Sequence, residues 1–75
     1  MTEDPKTGAK ILDHVRLCGS LDVYLAIDAW GWYLIEGVEL SEVDALARLT
    51  TPPIVLVDHH ETEELARRAF EERRG

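Results

Sequence analysis

Turn signals cut the first half of this chain into runs of strand length, and that punctuation limits the fold more than any other feature. Residues 11–18 and 21–28 flank Gly19-Ser20, a two-residue connection of the kind tight hairpins use. That register places Leu12, His14, Arg16 and Cys18 on one face with Leu21, Val23, Leu25 and Ile27. The second run alternates, with Val23, Leu25 and Ile27 expected inward and Asp22, Tyr24, Ala26 and Asp28 outward. The first run has a second reading, because Ile11, Leu12, Val15 and Cys18 would also line one side of a short helix ending at Gly19. Asp28-Ala29-Trp30-Gly31 reads as the next turn, with Gly31 free to take positive φ. A β-rich run at 32–35, a turn at Glu36-Gly37 and a short return strand at 38–40 complete a small antiparallel meander.

The second half changes period. Ser41 is a good helix N-cap with Asp44 three residues on, and Val43, Leu46 and Leu49 supply a buried stripe. Thr50-Thr51-Pro52-Pro53 ends that helix, since proline cannot continue it. The apolar run at 54–57 shows no alternation, which predicts a strand covered on both faces at the centre of the sheet. Asp58 closes the strand and is placed to cap a second helix, with Glu61 at the third position. That helix is expected over 62–74, with glutamates at its start and arginines at its end, as the helix dipole favours. Glu63 with Arg67 and Glu64 with Arg68 are spaced for ion pairs, and Leu65, Ala66, Ala69 and Phe70 form its buried face. The expected fold is α+β: a meander of three to four strands, one further strand and two helices, in the order βββ(β)αβα. Residues 1–8 read as a disordered lead-in and 9–75 as a single small domain.

A chain of 75 residues buries only about 60% of its unfolded surface, and its core supplies about 3–5 kcal/mol of net stability. Its one cysteine, Cys18, excludes an internal disulfide and reads as a buried small hydrophobe. Good packing, a metal or a partner subunit must serve instead, and a homodimer is one expectation. The net charge of −7 disfavours nucleic acid, whose binding depends on neutralising phosphates, and favours a protein partner with a basic surface. No apolar run reaches the roughly 18 residues of a membrane span, so no membrane partner is expected. The start, Met1-Thr2-Glu3-Asp4-Pro5, is acidic and unlike a signal peptide, which points to the cytoplasm. Basic residues are six Arg against two Lys, with no Asn or Gln. That usage suits a GC-rich bacterium or its phage, and in the phage case the compartment is the host cytoplasm.

Val57-Asp58-His59-His60 after an apolar strand is the sharpest local motif. Over residues 54–60 it resembles the signature of the DHH phosphoesterases. The resemblance implies that the aspartate and a histidine of the triplet help hold a divalent metal for phosphoester hydrolysis. The chain departs from the family in lacking an Asp-x-Asp pair upstream, where Asp22 and Asp28 stand alone. Successive side chains on a strand alternate, so Asp58 and His60 can share an ion while His59 cannot, and His14 is a third ligand only if the sheet brings it near. The plainer reading makes Asp58 a helix cap. Ser20 and Ser41 are taken up by a turn and a cap, and the glycines are scattered at turns instead of forming a phosphate loop. No cofactor and no enzymatic turnover are expected. Tyr24, Trp30, Trp32 and Tyr33 cluster around Gly31, with Trp32 also a core candidate. Aromatics on an acidic surface are the usual material of interface anchors, which makes this corner the candidate interaction surface.

Overall fold

The structure, a computed structural model, describes residues 8–50 and 57–75. Its elements run β1 (Lys10–Leu17), β2 (Leu21–Asp28), β3 (Gly31–Val38), α1 (Glu42–Thr50), β4 (Val57–His60) and α2 (Glu63–Arg74). The strands form one antiparallel sheet in the order β1-β2-β3-β4, so the fold is α+β around a meander, as the sequence predicts. Residues 1–7 of the expected lead-in at 1–8, the Pro52-Pro53 stop and most of the 54–57 run lie outside the described residues.

Each face of the sheet carries one helix. Ala45, Leu46 and Leu49 of α1 pack with Ile11, Tyr24, Ala26, Tyr33 and Ile35. Ala66 and Phe70 of α2 pack on the opposite face with Val23, Leu25 and Leu34. Phe70 is 1% exposed, and burying a side chain of that size contributes roughly 1.5–3 kcal/mol. The two-helix arrangement explains why every residue from Asp22 to Ala26 is buried: neither face of β2 meets water. The expectation that Asp22, Tyr24 and Ala26 point outward is therefore overturned.

The register of the first hairpin also differs from expectation. Cys18 belongs to the connection, a 3-10 turn over Cys18–Ser20, with Gly19 at φ 77° and Ser20 at φ 60°. Leu17 consequently pairs with Leu21, Val15 with Val23, His14 with Tyr24 and Arg16 with Asp22. A slip of one residue moves every side chain to the other face. His14 and Arg16 thus join Asp22 and Tyr24 on the α1 side, while Val15 and Leu17 join the α2 cluster. Leu12 still packs with that cluster, because a bulge between Ile11 and Asp13 restores the parity. Cys18 is exposed instead of buried.

Three further corrections concern boundaries and faces. Glu36-Gly37 is not a turn but lies within β3, which runs unbroken to Val38. Among the described strands β4, which takes only Val57 from the apolar run expected at the centre, pairs with β3 at the edge of the sheet. Val43 and Leu65, expected in the helix stripes, are 67% and 46% exposed. Ser41 does cap α1, its Oγ accepting from Asp44 N at 3.2 Å, and the Glu63–Arg67 and Glu64–Arg68 pairs form on α2. The cap of α2, however, is Thr62, whose hydroxyl accepts from Leu65 N at 3.3 Å, leaving Asp58 to another role. No helix among the described residues is long and apolar enough to cross a membrane.

Candidate functional site

The sheet has two ends of opposite chemical character. At one end, where β1 turns into β2, Asp22 is fully buried. Its carboxylate accepts from His14 Nε2 at 2.8 Å, from Arg16 Nε at 2.9 Å and Nη2 at 3.0 Å, and from Leu40 N at 3.0 Å. Arg16 first, then His14, hold the carboxyl down to about 2 from its ordinary 3.8, against the opposing effect of burial. The His14 ring also stacks on Tyr24, with centroids 4.3 Å apart and planes within 9°. Tyr24 in turn donates its hydroxyl to the Leu40 carbonyl, so both backbone groups of Leu40 are held by β2 side chains. Glu39 N donates to Ser20 O, which ties the same loop to the β1–β2 turn. Four donors saturate a carboxylate, which has about four lone-pair sites. The geometry is that of a clamp joining β1, β2 and the β3–α1 loop. Sequence reasoning misses it, because the expected register places His14 and Arg16 on the wrong face. The available signal is an aspartate and a tyrosine two residues apart on a strand with apolar neighbours on both sides.

At the other end stands the turn between β2 and β3. Trp30 is 76% exposed there, yet the backbone beneath it is held from several sides. The Asp28 carboxylate accepts from Trp30 N at 2.8 Å. His59 of β4 donates Nε2–H to the Trp30 carbonyl at 3.2 Å, and its ring lies 5.1 Å from that of Tyr33 in a tilted contact. Gly31, at φ 149°, sits so close to β4 that a Cβ would lie 2.6 Å from His59 Nε2 and 2.9 Å from the His60 carbonyl. Positive φ and close approach both require glycine here.

The four aromatic residues expected at this corner do not form one surface. Tyr24 and Tyr33 are buried on the α1 side, and burial, more than the neighbouring Asp22 and Asp28 charges, raises both hydroxyl pKa values. Trp32 is half-buried against the α2 cluster. Trp30 alone of the four presents its side chain to solvent.

The Asp58-His59-His60 motif takes a different shape from a metal centre. Asp58 pairs with Leu34 and His60 with Trp32, so both lie on the α2 face, and His59 lies on the other, as strand alternation predicts. His14 belongs to the α1 face three strands away and cannot complete the set. Arg73, from the last turn of α2, places its guanidinium on the Asp58 carboxylate and on Glu36, where a metal would have to compete with it. His60 Nε2 is buried without a hydrogen-bond partner. Among the described residues no group of three His, Cys, Asp or Glu is arranged to hold a metal ion.

The comparisons with known proteins add no relative: no family model matches the chain, and neither the curated proteins nor the solved structures gave a match.

Proposed function

We propose that this chain works as a non-enzymatic protein-interaction module, anchored on a partner by Trp30. The observation that carries the reading is an indole 76% exposed on a backbone fixed by Asp28, His59 and the Gly31 contact. An aromatic side chain buries about 150–250 Å² when covered, worth roughly 4–6 kcal/mol at about 25 cal/mol per Å². Holding the turn in place before contact removes part of the ordering cost of binding. Tryptophan at such a position is a common interface hot spot. A phage or bacterial accessory or inhibitor protein acting by occupancy fits this arrangement, and so does a homodimer.

The β1 edge is a poor route to self-association. Its His14 N–H is taken by the Asp13 carboxylate at 2.8 Å, and the bulge at Leu12 distorts the ladder next to it. A dimer anchored on Trp30 does not depend on strand pairing at that edge. Light scattering over a concentration series tests the dimer, and a monomer throughout removes that version. For a different partner, wild-type and Trp30→Ala chains serve as paired baits. A protein held by the first and released by the second supports the reading; identical captures contradict it.

A second reading, a metal-binding module centred on Asp58 and His60, has the unpartnered His60 Nε2 in its favour. Calorimetry with Zn and Mn tests it. Heat at one ion per chain, lost in His60→Ala, would support it, and no heat would end it.

A further inference from the structure

We infer that the Trp30 turn receives an arginine or lysine side chain of the partner, stacked on the indole face. The inference rests on the interaction-module reading and names the partner's chemistry. All six arginines of the chain are already engaged within it. Arg16 is on Asp22, Arg67 on Glu63, Arg68 on Glu64, Arg73 on Glu36 and Asp58, and Arg74 on Glu71. Arg48 donates to the Glu36 carbonyl. No arginine is left over for Trp30 within the same molecule, and Lys10, opposite Ile27 in the β1–β2 ladder, is the one described lysine at this end.

The negative charge is not consumed in the same way. Asp44, Glu61 and Glu72 form no ion pair among the described residues, and the chain keeps its net −7. Two carboxylates belong to the Trp30 end itself. Asp28 lies in the same turn, and Glu61 directly follows His60, the partner of Trp32 across the β3–β4 ladder. A cation approaching this end meets an attractive long-range field and an uncovered indole, the strongest aromatic acceptor for a cation. A carboxylate-bearing segment would be repelled by the same field. A purely apolar segment would gain from the indole alone.

The test uses a short arginine-rich peptide, with a glutamate-rich and a neutral Gly/Ser peptide of equal length as controls. The readout is the two indole N–H signals in a proton–nitrogen spectrum of the full chain. The arginine peptide is expected to shift the Trp30 signal and leave that of half-buried Trp32 in place, with the effect fading as salt rises. Trp30→Ala should weaken the peptide by roughly 3- to 30-fold, the range of an exposed to a desolvated cation–π contact. Trp30→Phe should retain part of that binding, which a merely structural role would not explain. Equal affinity of the arginine peptide for wild type and Trp30→Ala overturns the inference, since it reports attraction to acidic surface elsewhere. If a partner requires Trp30 but binds without salt dependence and through no basic residue, the interaction reading stands and the cation fails. If no partner or peptide ever senses Trp30, both fail.

Discussion

The Asp22 and Trp30 ends of the sheet lie about 20 Å apart along β2, at roughly 3.3 Å per residue, and they break opposite rules. At the first, a charged group sits where an apolar one is usual, and every lone pair is answered. At the second, a large apolar group sits in water, and only its backbone is answered. A buried charge with a complete set of donors is explained from within the molecule: it fixes a loop and two strands. An exposed indole on a fixed turn gains nothing from within. The contrast separates residues that make the fold from a residue whose value lies outside it.

The comparison can be broken first at Asp22. Asp22→Ala leaves Arg16 and His14 without their carboxylate, frees the Leu40 N–H and is expected to be the most destabilising of these changes. It should lower Tm by roughly 10 °C or more in a thermal melt. A change within a few degrees would show that the clamp is ornamental.

The pH profile sharpens the same point. The folded Asp22 carboxyl lies at about 2 against an ordinary 3.8, so as pH falls the unfolded chain takes up this proton before the folded one does. Its contribution is complete above about pH 4 and drains away between about pH 4 and pH 2. Denaturation midpoints across that window should fall less steeply for Asp22→Asn than for wild type. Parallel profiles would remove Asp22 as the source.

The hairpin shows how far the sequence can be read. The meander, the helix order, the Ser41 cap and the α2 ion pairs all arise from local signals that no tertiary contact overrides. The faces of β1 do not, because they depend on whether Cys18 is the last strand residue or the first turn residue. Gly19 and Ser20 both adopt left-handed φ, and that choice moves His14 and Arg16 across the sheet. Asp22 and Tyr24 look solvent-facing when polarity stands in for exposure, whereas hydrogen bonds to Leu40, His14 and Arg16 make their burial tolerable. The Trp30 corner is legible as a turn but not as a lone side chain. The alternation that buries Tyr33 and half-buries Trp32 has meaning only with a helix on each face, and no local signal says where the helices dock.

At the Trp30 end a smaller effect is expected from Gly31→Ala. A Cβ there meets the His59 ring and the His60 backbone, and φ is unfavourable, which together should cost about 1–3 kcal/mol. Urea denaturation measures it. A neutral result would mean that the turn and β4 are not held together as described, and the rigidity of the Trp30 backbone would go with it.

The smallest expected effect on stability belongs to Trp30 itself. A turn residue this exposed should change stability by less than about 0.5 kcal/mol on truncation. Trp30→Ala should therefore melt with wild type, while Trp32→Ala, which removes packing against the α2 cluster, should not.

Whether folding residues and a binding residue truly divide in this way is decided by calorimetric affinity for the partner that wild type captures. The measurement is made on wild type and Trp30→Ala at a temperature where both are fully folded. The expected result is a loss of about tenfold or more with Trp30→Ala at unchanged Tm. Equal affinities of the two chains would contradict the division.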